Sequence, residues 1–195
     1  MRLLRAILIG LLAVQFHHAA AFAQASTFEQ ARQARFAGRI DDAERLLTIT
    51  LQGEPNNYLA LYNMGLVYEA RAVRAPAGEQ RLGHYRTAAS WLERAFRSPG
   101  RSAAGADAYT IFNSLGTMYL GLGDLNRANL YLQQGLTNQA RLNDFSRGRL
   151  YGNLGYLYAL QGDSRRARQF FEQGARLGSA FAQENLRRFN AAGIH

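Results

Sequence analysis

The chain has 195 residues, 48% of them apolar, and a formal net charge of +9 at pH 7. That length admits a single domain, and that apolar share with scattered charge excludes disorder. All of the positive charge is arginine and there is no cysteine, which excludes a disulfide framework, a thiolate metal site and a lipid attached through cysteine.

The first element in the chain is a leader. Met1 to Arg5 form a short basic stretch, Ala6 to Phe16 an apolar core, and Ala21-Phe22-Ala23 or Ala23-Gln24-Ala25 offers the small residues that a signal peptidase reads. Gln15, His17 and His18 interrupt the apolar run, which falls short of the roughly 20 residues needed to span a bilayer. Residues 1–25 therefore read as a signal peptide cleaved near Ala23 or Ala25. The mature chain is expected to be exported and periplasmic, with no stable membrane insertion. Nucleic acid is not an expected partner in that compartment, despite the basic balance.

Four helical hairpins are expected next. Residues 26–56 carry a degenerate one, framed by Ala31, Ala34, Gly38, Ala43, Leu47 and Pro55, with Asp41 and Asp42 expected to cap its second helix. Residues 57–100 hold the phrase Leu61-Tyr-Asn-Met-Gly-Leu-Val-Tyr68, then Ala88, Leu92 and Ala95. An insertion at about 71–83, with Pro76 and Gly78 as helix breakers, separates the two halves. Residues 107–140 repeat the phrase as Phe112-Asn-Ser-Leu-Gly-Thr-Met-Tyr119, followed by Gly123-Asp124 and by Ala128, Leu132 and Gly135. Residues 147–179 repeat it again as Tyr151-Gly-Asn-Leu-Gly-Tyr-Leu-Tyr158, followed by Gly162-Asp163 and by Ala167, Phe171 and Gly174. A glycine inside a helix costs roughly 1 kcal/mol relative to alanine, so three at one phase call for close helix packing. The spacing of small and bulky residues in each second half lies on one helical stripe and supplies the partner. Residues 180–195 close the chain, with Phe181, Leu186 and Phe189 opposite Glu184, Arg187 and Arg188. That is the pattern of a capping helix with a fraying tail.

The order aromatic-x-x-Leu-Gly-x-x-Tyr, then Ala-x-x-x-Phe, resembles the tetratricopeptide repeat. The matching positions are Gly65, Tyr68 and Ala88, then Gly116, Tyr119 and Ala128, then Gly155, Tyr158 and Ala167. The repeat's closing proline is out of register in the second and third units, where Pro99 falls one position early and Ala140 replaces it. The resemblance implies an all-α, right-handed superhelical solenoid of antiparallel helix hairpins whose first helices line the inner surface. In such proteins the two residues before the apolar-Gly pair often face the groove. Here they include Tyr62, Asn63, Asn113, Ser114 and Asn153. Asparagines there have two readings: a ladder that pairs with the amides of an extended peptide, or hydrogen bonds from helix to helix. Arg149, which offers a carboxylate site, and Tyr156 complete the candidate groove.

Catalytic chemistry has little to draw on. Beyond the leader the histidines are His84 and His195, too few for a nucleophile, base and orienting acid distributed over the fold. No phosphate loop, zinc-helix pair or calcium loop is present, so no enzyme activity, cofactor or metal is expected. The sequence is that of a non-catalytic periplasmic scaffold or adaptor binding a peptide or helix of an envelope protein. The resemblance places such proteins in pilus, secretion or outer-membrane assembly. The alternative is a regulator of a cell-wall (peptidoglycan) enzyme, and the oligomeric state is open.

Overall fold

The computed structural model describes residues 27–104 and 107–192. The leader expected at 1–25 and the end of the tail lie outside the described residues. Helical residues 27–36 (α1) are followed by α2 (Ile40–Gly53), α3 (Tyr58–Arg74), α4 (Glu79–Arg97), α5 (Asp107–Gly121), α6 (Leu125–Thr137), α7 (Asp144–Leu160), α8 (Ser164–Arg176) and α9 (Ala180–Ala191). Short 3-10 segments at Pro99–Ala104 and Gln139–Arg141 link the hairpins, and there is no strand among the described residues.

Local chemistry fixes the helix ends. The side chains of Asn57, Asp124, Asn143, Asp163 and Ser179 each accept a hydrogen bond from the amide three residues on, and so start α3, α6, α7, α8 and α9. Gly123 and Gly162 stop α5 and α7 at φ of +74° and +80°, a backbone region that side chains with a Cβ rarely enter. Asp41 and Asp42 depart from the expected capping role. The N-cap of α2 is Arg39, with no side-chain bond, and both acids lie one step inside the first turn. There they favour the helix dipole and form ion pairs, Asp41 with Arg71 at 2.7 Å and Asp42 with Arg39 at 3.4 Å.

One contact is repeated at the heart of three hairpins. A Cβ added to Gly65 would stand 2.6 Å from Leu92 Cγ, one on Gly116 2.5 Å from Leu132 Cδ2, and one on Gly155 2.5 Å from Phe171 Cδ1. Each repeat glycine is thus the floor on which the bulky residue of the second helix rests. Leu92, Leu132 and Phe171 are fully buried in consequence, with Ala88, Ala128 and Ala167 beside them. Tyr119 and Tyr158 are buried as well and stack on Tyr131 and Phe170 at 5.7 and 5.5 Å. Arg127 and Arg166 lie over the same two tyrosine rings at 4.3 and 4.6 Å, held by Asp124 and Asp163. Burial and a hydrogen bond to Glu93 push the Tyr119 hydroxyl up to about 12.

The second hairpin differs in outline. Tyr68 and Ala88 are 20 residues apart, whereas Tyr119 and Ala128 are nine apart. Most of the additional chain is helix. α3 continues six residues beyond Tyr68, and α4 begins nine before Ala88, against three for α6 before Ala128. Pro76 and Gly78 break the chain only across residues 75–78, so the insertion lengthens a helical hairpin.

The last helix, α9, packs on α7 and α8. Ala182 is buried, and the Phe189 ring meets Phe171 edge-on at 5.5 Å. Phe181 departs from the capping face expected of it. It is exposed and turned toward Tyr156, 5.8 Å away.

Candidate functional site: the inner groove

First helices of successive hairpins lie side by side, and the residues before each apolar-Gly pair join them. Arg35 Nε of α1 donates to Asn63 Oδ1 of α3 at 3.0 Å. The Tyr62 hydroxyl of α3 and Ser114 Oγ of α5 are 3.0 Å apart. Asn153 Nδ2 of α7 donates to Asn113 Oδ1 and Thr117 Oγ1 of α5, at 2.9 and 2.8 Å. Asn63, Asn113 and Ser114 are buried, and a buried amide or hydroxyl needs such partners. The structure thus brings five of the seven candidate groove residues into bonds between helices. Arg149 and Tyr156 stand at the surface.

Two depressions lie along these helices and meet at Arg149. One, of about 460 Å³, is lined from α1, α3, α5 and α7 and includes Arg32, Arg35, Phe36, Leu59 and Phe145. The other, of about 450 Å³, is bounded by Arg81 and Tyr85 of α4, the end of α5, Arg149 and Tyr156 of α7, and Phe181 at the start of α9. The lengthened hairpin supplies its wall. The Tyr85 ring lies against Gly121, where an added Cβ would stand 2.7 Å from it. Neither Gly121 nor Tyr85 is announced by the repeat pattern; the local signal for Gly121 is a glycine two residues beyond the packing tyrosine.

Among the described residues nine large apolar side chains are exposed, and five of them, Phe36, Leu59, Phe145, Tyr156 and Phe181, line these depressions. Isolated surface apolar groups are ordinary, whereas a clustered set marks a contact surface.

The charge lining the groove is mainly arginine. Glu69, its side chain 18% exposed, lies 3.9 Å from Arg149, whose own side chain is 44% exposed. That separation is ionic and beyond hydrogen-bond reach. Burial pushes the Glu69 carboxyl above its usual range, against the opposing pull of Arg149 and Arg35. Burial also lowers the Arg35 guanidinium and raises the Tyr85 hydroxyl, with Glu69 adding to the latter. The arrangement can hold apolar and aromatic groups beside a carboxylate.

Residues 148–178, which span most of α7 and α8, match the family model of the tetratricopeptide repeat. Similar folds include the crystal structure of the MamA protein, with a TM-score of 0.59 at 21% identity over 88% of this chain and 83% of that one. A second MamA structure gives 0.57 at 22% identity over 84% and 85%. TTC0263, a thermophilic TPR protein of Thermus thermophilus, gives 0.63 at 22% identity over 88% and 82%. No curated protein matches the chain in sequence. The sequence of α7 and α8 thus matches a tetratricopeptide repeat, and the stacked hairpins share the fold of such proteins.

Proposed function

We propose that this protein is a non-catalytic scaffold of the bacterial envelope, holding an apolar-faced peptide or helix of a protein partner in its inner groove. The clustering of exposed Phe36, Leu59, Phe145, Tyr156 and Phe181 along that groove carries the reading. A repeat array offers its inner surface to protein partners without a catalytic centre. Export to the periplasm is supported by the basic, apolar and small-residue order of residues 1–25. Among the described residues no helix is long and apolar enough to cross a membrane. Assembly of a pilus, a secretion machine or the outer membrane is the setting we favour.

Affinity capture from envelope extracts tests the reading. The wild-type protein is expected to recover a partner that a Phe36→Ala, Phe145→Ala, Tyr156→Ala variant loses while melting at the same temperature. Equal recovery by both would refute the groove. Fractionation with amino-terminal sequencing tests export, and a protein retained in the cytoplasm with Met1 intact would refute it.

A further inference from the structure

The depression walled by the lengthened hairpin has a chemistry of its own. Arg81 of α4 and Arg149 of α7 bring two guanidinium groups to its rim. Arg81 is held in place by the Ala75 carbonyl, to which its Nε and Nη2 donate at 3.0 and 2.6 Å. Arg149 has an ionic partner 3.9 Å away in Glu69, which leaves its fork of donors oriented but not hydrogen-bonded to that acid. Three aromatic rings line the same depression. Tyr156 and Phe181 meet edge-on at 5.8 Å, and Tyr85 is seated on Gly121. The volume, about 450 Å³, suits a few residues of peptide and falls within the range of small-ligand sites. Asn153 is committed to Asn113 and Thr117, and Ser179 to the first turn of α9. The cations and the rings are the charged and the apolar groups that the lining offers a ligand.

We infer that this depression binds a short acidic-aromatic peptide segment, its carboxylates paired with Arg81 and Arg149 and its ring set among Tyr85, Tyr156 and Phe181. This inference rests on the scaffold reading and adds the partner's chemistry. Arginine pairs with carboxylates through two parallel hydrogen bonds, which gives direction as well as charge. The partly buried Glu69 limits the site's tolerance. It neutralises part of Arg149, so one carboxylate spread across both arginines, or one on each, is favoured over a highly charged run. A basic segment is opposed by both rim cations. The wall exists because α4 begins six residues earlier relative to its packing alanine than α6 or α8 does. That wall therefore belongs to this chain's lengthened hairpin and not to the repeat.

Fluorescence anisotropy with three labelled, amidated pentapeptides tests the inference on the purified protein. The probes are Gly-Asp-Trp-Glu-Gly, its neutral counterpart Gly-Asn-Trp-Gln-Gly, and Gly-Asp-Ala-Glu-Gly. The first is expected to bind about tenfold more tightly than either of the others, and to weaken as salt rises. Arg81→Gln and Phe181→Ala, at residues that line this depression and not the other, are each expected to reduce its affinity about fivefold or more, with Leu130→Ala on the outer surface without effect. Melting curves identify any variant that fails to fold, and the two substitutions lie on different helices, so one misfolded variant leaves the other decisive. Three outcomes overturn the inference: acidic and neutral peptides binding alike, no measurable binding of the acidic peptide, or loss on Phe145→Ala with none on Arg81→Gln. In each of these, capture of a partner through Phe36 and Phe145 is a separate observation, so the scaffold reading stands or falls on its own.

Discussion

The α3–α4 and α7–α8 hairpins share an interior and differ in outline. Inside, Gly65 receives Leu92 as Gly155 receives Phe171. Outside, α7–α8 keeps the compact repeat and matches the family model, whereas α3–α4 runs on past Tyr68 and starts early before Ala88 to form one wall of a depression. Stability in a stacked array resides in the contact that recurs, because every unit must bury the same face. Individual chemistry resides where a unit departs from the repeat.

The largest effect is expected from attacking the shared interior. Gly155→Leu drives a side chain into the Phe171 ring, three atoms of which lie within 2.9 Å of the added Cβ. It is expected to cost about 2 to 3 kcal/mol, as overpacked cores do. Gly65→Leu is expected to behave alike in a thermal melt, and an unchanged midpoint for either would remove the common interior.

Next come the bonds between neighbouring first helices. Asn113→Ala strips Asn153 of an acceptor in a buried setting, and a loss of about 1 to 3 kcal/mol is expected by denaturant titration. If binding to a partner fell and stability did not, the asparagines would belong to the ligand and not to the helix contacts.

The outline is expected to respond in the opposite direction. Gly83 lies in the lengthened α4 with nothing within 4 Å of an added Cβ. Gly83→Ala is therefore expected to stabilise by about 0.5 to 1 kcal/mol. A loss would show that the added turns of α4 are packed more closely than the structure has them.

The smallest effects separate the two regions by pH. The amides of Arg127 and Arg166, aided by their guanidinium groups, hold Asp124 and Asp163 below the usual aspartate range. Their stabilisation is present above the unfolded-state pKa and is lost as pH falls through the folded one. Glu69 has the reverse sign. Its folded pKa is raised, so stability is greatest in acid and declines as pH rises through the ordinary glutamate range toward the folded value. Asp163→Asn is expected to lower the melting point at neutral pH, and Glu69→Gln to raise it. The Glu69 difference should close at about pH 3, below the usual carboxylate range, and the Asp163 difference only at more acid pH, below its depressed folded pKa; matching signs for the two at neutral pH would contradict this assignment.

The sequence displayed the interior because glycine and a bulky residue recur at fixed phase, and displayed the turns because Gly123-Asp124 and Gly162-Asp163 couple a left-handed residue to a helix cap. It did not display the shape of the insertion. Pro76 and Gly78 marked helix breakers and left open a loop or a helix extension; proline breaks a helix only locally, and the flanks from Arg71 to Arg74 and from Glu79 onward are helical. The partners of Tyr62 and Asn153 were also out of reach, because those bonds join residues 52 and 40 positions apart and depend on how one hairpin sits against the next. Phe181 kept helical spacing with Leu186 and Phe189, yet its place at the first turn of α9 turns it to the groove. Glu69, following directly on the packing tyrosine, left no mark in the pattern at all.

Site-resolved photo-crosslinking in cells tests most directly whether the groove is the partner surface. A photoreactive residue is placed in turn at Phe145 and Tyr156 within the groove and at Leu130 and Ile49 outside its lining, all four exposed. Discrete adducts with one protein at Phe145 and Tyr156, absent at Leu130 and Ile49, are the predicted result. The same adduct arising at Leu130 or Ile49 and missing from both groove positions would contradict it.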